Sequence, residues 1–319
     1  MSQETLIKAR HLSRYYGPNV AVNNIQFELS RGEVVGFLGP NGAGKSTSMQ
    51  MITGNLAPTT GSVEVCGIDL LDKPKQAKAH IGYLPEQPPV YKELTVDEYL
   101  KFCARINRME KINIAAAVDK TKQRCGLAKV GHRLIGNLSK GYQQRVGIAQ
   151  AIIHSPAIIV LDEPTVGLDP IQIREIRTLI RELGEEHGVI LSTHILPEVQ
   201  MTCDRVQIIR SGELVYQDTM ENLSQQFQGS CVVIGLDKEI KENEIAKLPD
   251  VASVERLAPK RWRLSFNDDG KPISQLSKQI IENGWGLTEL IPEQKSLEDI
   301  FVNITTSEDD LETNKEDVA

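Results

Sequence analysis

The stretch Val34–Met51, VVGFLGPNGAGKSTSMQM, constrains this chain more than any other. A short apolar run (Val34, Val35, Phe37, Leu38) enters a turn with glycines at 39, 42 and 44. The turn closes on Gly44-Lys45-Ser46-Thr47 and a segment of helical character follows. Gly39, Gly44, Lys45 and Ser46 meet the pattern G-x-x-x-x-G-K-S of a phosphate-binding loop. Where no Cβ blocks the approach, backbone wraps closely round an anion. The run Gly39-Pro40-Asn41-Gly42-Ala43-Gly44 therefore offers a nest of N–H groups, and the positive end of the following helix faces the same anion. Lys45 is expected to reach the terminal phosphates. The Ser46 hydroxyl is expected to take one position on Mg²⁺, a hard cation that prefers oxygen. The loop specifies a nucleoside triphosphate and leaves open what its energy is used for.

A second signal is the continuous apolar run Ala157-Ile158-Ile159-Val160-Leu161, which ends in Asp162-Glu163-Pro164. Such a run suits a parallel strand covered on both faces. It delivers carboxylates where open α/β sheets bind ligands, beyond the strand ends. Asp162 is expected to hold Mg²⁺ through its water shell. Glu163, one residue further and turned differently, is placed to act on the water that attacks a γ-phosphate, as general base or as its orienting group. Between the two motifs lies Asn137-Leu138-Ser139-Lys140-Gly141-Tyr142-Gln143-Gln144-Arg145-Val146. Ser139 suits a helix cap and Gly141 keeps the helix start open, which makes a further anion site. Taken alone, an ordinary capped helix explains that stretch better.

Charge and cysteine usage narrow the setting. Formal net charge over 319 residues is −7, and residues 307–319 contribute six acids against Lys315. A nearly neutral body with an acidic tail has no electrostatic footprint for nucleic acid. The tail reads as a solvated, disordered end. The five cysteines (66, 103, 125, 203, 231) show no C-x-x-C spacing and read as free thiols of a reducing compartment. No apolar run approaches the roughly 20 residues that cross a bilayer, and the first residues lack the apolar core of a signal peptide. A cytoplasmic protein is expected, one that reaches a membrane only through a partner.

Along the chain, residues 5–9 and 22–29 read as strands, 61–67 as a short strand, and 73–79 as a helix. Ile81–Leu84 reads as a buried strand, followed by Pro85, Pro88 and Pro89, which bar helix and central strand. Thr95 and Glu98 form a capping box ahead of Val96, Tyr99, Leu100, Cys103 and Ile106 at helical spacing. Two more helices are expected over 114–125 and 141–154, one after Pro170, a buried strand over 189–192, and a hairpin over 206–216. From about Gly229 the order becomes strand 231–236, helix 240–248, strands 251–257 and 262–266, helix 273–283, strand 286–292 and a last helix 296–305. This β-α-β-β-α-β order suggests a small ferredoxin-like sandwich. His11, His80, His132, His154 and His187 have no metal-ligand spacing and read as surface or core polar residues, while Trp262 and Trp285 read as core of the small domain.

Taken together, the motifs resemble those of the nucleotide-binding subunit of an ATP-binding-cassette transporter, in the family's order over about residues 4–220. Tyr16 falls at the adenine-stacking aromatic, Gly39–Thr47 at Walker A, and Gly82-Tyr83-Leu84-Pro85-Glu86 at the Q-loop. Leu138–Tyr142 falls at the signature, Leu161–Pro164 at Walker B, Gly167-Leu168-Asp169 at the D-loop, and His194 at the switch histidine. The resemblance implies a P-loop NTPase cassette over 1–225. Its parts are a RecA-like parallel sheet, an antiparallel β subdomain and a helical subdomain inserted over about 90–155. An accessory α+β domain over 226–306 and the tail 307–319 follow. It further implies ATP and Mg²⁺ as ligands, and Glu163 and His194 as the hydrolytic pair. ATP contacts are implied from Tyr16, Gly39 to Thr47, Ser139, Gly141 and Asp169, and metal contacts from Ser46, Asp162 and Glu86. Ser139 and Gly141 would act on the ATP of a second cassette, in a homodimer or pseudo-dimer that drives a membrane permease.

Two departures stand out. The signature reads LSKGY where the commonest form is LSGGQ, and the Q-loop glutamine position aligns with Glu86, with Gln87 next to it. Either side chain could supply the oxygen to Mg²⁺, and alignment favours Glu86. The variants GYLPE and LSKGY, with the ending Ser296–Phe301, resemble the subfamily that serves small export permeases, including gliding-motility, sodium-efflux and drug-export ATPases. A soluble cassette ATPase acting on ribosome or DNA is the alternative. Such relatives carry tandem cassettes or a long inserted coiled coil, and this chain has one cassette and no such insertion.

Overall fold

The computed structural model describes residues 4–226, 230–248, 250–266 and 272–294. The expected helix over 296–305, the Ser296–Phe301 ending and the acidic tail lie outside the described residues. The chain divides into two compact units, Met1–Met220 and Glu221–Ala319.

In the first unit, β1 (Thr5–Tyr16) and β2 (Asn19–Ser30) form a long antiparallel hairpin that turns at Gly17-Pro18. β3 (Val34–Leu38) is buried at every position and feeds the phosphate loop, after which α1 spans Lys45–Ile52. β4 (Thr60–Val65) pairs with β1 and with the short β5 (Ile68–Asp69), giving an antiparallel sheet in the order β2-β1-β4-β5. α2 (Pro74–Lys78) leads into β6 (Ile81–Leu84).

The helical block follows with α3 (Val96–Ile106), α4 (Lys111–Arg124) and α5 (Lys140–Ile152). The capping box of α3 is present: Thr95 Oγ1 accepts from Glu98 N at 3.2 Å and Glu98 Oε2 accepts from Thr95 N at 2.9 Å. The chain then re-enters the core through β7 (Ile158–Asp162), α6 (Pro170–Glu186), β8 (Gly188–Thr193), α7 (Leu196–Thr202), β9 (Arg205–Arg210) and β10 (Glu213–Thr219). The second sheet runs β10-β9-β3-β8-β7-β6, parallel from β9 to β6 with an antiparallel β10 at its edge. β7 and β8 are buried throughout, which accounts for their unbroken apolar runs. The main core joins the two sheets, and Phe27 of β2 meets Phe37 of β3 edge-on with ring centroids 5.0 Å apart.

The second unit opens with α8 (Met220–Gln226), which starts on the last residue of the first unit, and continues with β11 (Ser230–Leu236), α9 (Glu242–Ile245), β12 (Val251–Ala258), β13 (Arg261–Phe266), α10 (Pro272–Glu282) and β14 (Leu287–Gln294). Its sheet order is β12-β13-β11-β14 with antiparallel neighbours throughout. That is the arrangement a split β-α-β-β-α-β chain produces. Its own core includes Val232, Ile234, Trp262, Leu264, Leu276 and Ile280. The helix expected over 240–248 is one turn, and turns occupy the residues that follow it to Leu248.

Candidate nucleotide-binding site

The site forms where β3, β7 and β8 end on the same side of the parallel sheet. Gly44 caps α1 with φ +104°, and a Cβ there would lie 2.6 Å from the Ala21 carbonyl oxygen. Only glycine suits both the dihedral and the space. The loop and its surroundings enclose a cleft of about 430 Å³, lined by Ala21, Asn41, Gly42, Gly44, Lys45, Ser46, Thr47, Glu86, Glu163, Val166 and His194. The sequence motifs thus converge: Walker A, the Q-loop acid, the Walker B glutamate and the switch histidine share one cavity.

Within it the charged groups form a chain. Lys45 is buried, and its Nζ donates to Gly39 O at 2.8 Å and Pro40 O at 3.2 Å, and lies 3.5 Å from Glu163 Oε1. His194 Nδ1 lies 3.0 Å from both Glu163 oxygens. Glu163 sits at φ +49°, a left-handed backbone held by its N–H bond to Ser192 O at 2.8 Å. That conformation costs about 1–2 kcal/mol for a residue with a side chain, and strain of this kind gathers at functional sites. It turns Glu163 out of the line of β7, so two consecutive carboxylates serve different places.

Asp162 stays in the strand, 2 % exposed, and its Oδ1 receives no hydrogen bond from the protein. A buried carboxylate oxygen without a donor is costly, and a divalent cation or its water shell relieves that cost. Ser46 and Glu86 line the cleft and Asp162 does not, and all three offer the oxygen that Mg²⁺ prefers. Burial, and behind it the Asp162 charge, pushes the Tyr83 hydroxyl up to about 12. The phenol is therefore a neutral neighbour of that carboxylate.

Other expected site residues lie elsewhere. Gly39, Pro40 and Ala43 belong to the loop without lining the cleft, and Gln87 does not line it either. Tyr16 ends β1, is 49 % exposed, and has the Arg14 guanidinium 4.7 Å from its ring centroid. Ser139 caps α5, accepting from Tyr142 N at 3.5 Å. Gly141 packs against α6 so closely that a Cβ would overlap Gln172 Oε1. Asp169 caps α6, accepting from Ile171 N at 3.0 Å and Gln172 N at 2.9 Å. Ser139, Gly141 and Asp169 are outside the cleft of their own chain. Ala21 and Val166 line it without any sequence signal. A small residue on a distant strand and an apolar one in a turn carry no motif.

The parallel sheet, the loop and the paired strand-end acids define a P-loop nucleotide-hydrolysing cassette. Residues 22–166 match the family described as ABC transporter. The chain is 33% identical to the ABC transporter ATP-binding protein YxlF of Bacillus subtilis, over 94% of this chain and 99% of that one. It is also 33% identical to the bacitracin transport ATP-binding protein BcrA of Bacillus licheniformis, over 94% and 97% of the two chains. Among solved structures, an ATP-binding subunit of an ABC transporter matches with a TM-score of 0.64 and 30% identity, over 70% of this chain and 93% of that one. A dimeric bacterial ABC transporter cassette matches with a TM-score of 0.62 and 26% identity, over 67% and 99%. The chain belongs to the ABC transporter ATP-binding family, whose cassettes bind and hydrolyse ATP.

Proposed function

We propose that this ATPase powers a membrane permease, in the direction of export, through closure and reopening of a cassette dimer. The observation that carries the reading is the chain Lys45–Glu163–His194 at the mouth of the phosphate loop. Lys45 supplies positive charge to the β- and γ-phosphates. Glu163 accepts a hydrogen bond from the attacking water and takes its proton as the water oxygen bonds to the γ-phosphorus and ADP leaves. His194 holds the carboxylate and faces the γ-phosphate. Mg²⁺ bound through Ser46, Asp162 and Glu86 would neutralise charge on the phosphates. Tyr16 offers an exposed ring for the adenine.

Ser139 and Gly141 start a helix outside the chain's own cleft, so they suit the γ-phosphate of a second copy, and Asp169 caps α6, whose Gln172 lies against Gly141. Transport is favoured by the likeness to a relative named for bacitracin transport, which extends over both units of this chain, and the direction of export follows the GYLPE and LSKGY variants.

Glu163→Gln is expected to keep ATP binding, lose phosphate release by roughly 10²-fold or more, and accumulate as an ATP-bound dimer. Wild-type turnover in that variant overturns the assignment. Affinity purification from membranes is expected to bring down a multi-span protein. Recovery of ribosomal RNA or DNA in its place would move the chain to the soluble class.

A further inference from the structure

Glu198 is a carboxylate that the nucleotide chemistry leaves unused. It stands in the first turn of α7 and is 1 % exposed. Thr165 Oγ1 donates to its Oε1 at 2.5 Å, and Thr193 Oγ1 donates to its Oε2 at 2.8 Å. Both threonines are buried. Its one cationic neighbour among the described ion pairs, Arg177 Nη2 of α6, is 3.7 Å away. Enclosing a carboxylate this fully is expensive, and an apolar side chain would pack the same space at less cost.

What the carboxylate joins is specific. Thr165 lies two residues after Glu163, and Thr193 immediately precedes His194. The same two segments meet again where Glu163 N donates to Ser192 O at 2.8 Å and where His194 Nδ1 lies 3.0 Å from Glu163. Glu198 therefore closes a ring of bonds around the Glu163–His194 contact without lining the cleft itself. We propose that Glu198 is a positioning residue for ATP hydrolysis: by accepting from Thr165 and Thr193 at once, it holds Glu163 and His194 in register. The inference rests on the roles given to those two residues above.

Two hydroxyls that both donate favour an acid over its amide. Both carboxylate oxygens are pure acceptors, whereas an amide offers one acceptor and a donor nitrogen. Thr193 Oγ1 already receives the Ile195 N–H at 3.1 Å, so its own hydrogen needs an acceptor. Glutamine at 198 accepts from Thr193 through its oxygen and turns its Nε2–H toward Thr165, whose hydroxyl must then accept and send its own hydrogen elsewhere, so the bond Thr165 now gives to Glu198 is lost.

The test measures kcat and KM separately on the purified full chain. Glu198→Gln and Thr165→Val are each expected to lower kcat roughly 10- to 100-fold, the scale on which small misplacements act. KM should move less than about threefold, since phosphate and base contacts stay in place. Thr165→Ser keeps the hydroxyl and should stay within about threefold of wild-type kcat. In a Glu163→Gln background, Glu198→Gln should add no further loss, because residues acting as a unit are not additive. The Thr165 pair decides the matter if Glu198→Gln does not fold. Unchanged kcat in Thr165→Val overturns the proposal, as does a Thr165→Ser variant no better than Thr165→Val. Turnover by Glu163→Gln alone reports instead that the base is misassigned, a separate failure.

Discussion

His187 makes part of the cassette's stability depend on pH through a single imidazole. The ring follows α6, is buried, and its Nδ1–H donates to Pro156 O at 2.6 Å. Burial pushes its pKa below 6.5, and the bond to Pro156 opposes this without reversing it. A folded-state value below the unfolded one means the unfolded chain takes up the proton first. The contribution is present above pH 6.5 and is lost as pH falls from there through the lowered folded value, by at most about 1.4 kcal/mol per pH unit. Replacing the ring, as in His187→Asn, should flatten the fall of the cassette's unfolding free energy as pH drops below about 6.5. An unchanged slope would show that other groups carry it. Gly44→Ala tests the loop at the same scale. It must adopt φ +104° and approach the Ala21 carbonyl, so nucleotide binding measured by equilibrium titration should fall below detection, with about 1–3 kcal/mol lost from the fold. Retained affinity would refute the geometry. The residues around Lys45 and Glu163 were legible because each motif is contiguous. Glu198, Thr165 and Thr193 were not, since a buried polar network joining residues far apart in sequence leaves no periodic trace.

Among the elements, continuous apolar runs betrayed β3, β7 and β8, because strands covered on both faces need apolar residues at every position. β1 and β2 run further than their alternation suggests, to Tyr16 and from Asn19, with register shifts that break the two-residue period. α7 is short and carries a proline, Pro197, so the sequence holds little helical signal there. The proline lies in the first helical turn, where a missing N–H costs nothing. The start of α3 was legible for the opposite reason, since its reciprocal cap is written in two residues three positions apart. Thr95→Ala removes that cap and should lower cassette stability by about 1 kcal/mol in thermal unfolding, with no change in KM for ATP. A neutral result would mean that tertiary packing of Val96, Tyr99 and Leu100 alone sets the helix start.

At the scale of the whole chain, each unit closes a core of its own, so the two should unfold as separate cooperative steps. The chain's two tryptophans, Trp262 and Trp285, both belong to the second unit, so intrinsic tryptophan fluorescence reports on that unit alone. The nucleotide cleft belongs to the first. A non-hydrolysable ATP analogue at about 100 times its Kd should stabilise the cassette by about 2.7 kcal/mol. For a body of that size this raises a calorimetric midpoint by roughly 5–10 °C. The fluorescence midpoint should not move. Two calorimetric transitions, one shifted by nucleotide and one coincident with tryptophan exposure, are the expected outcome. A single transition that carries the fluorescence change upward with the analogue would show that the second unit depends on the cassette for its stability. The accessory domain would then act as an energetic extension of the ATP site rather than a module with its own fold.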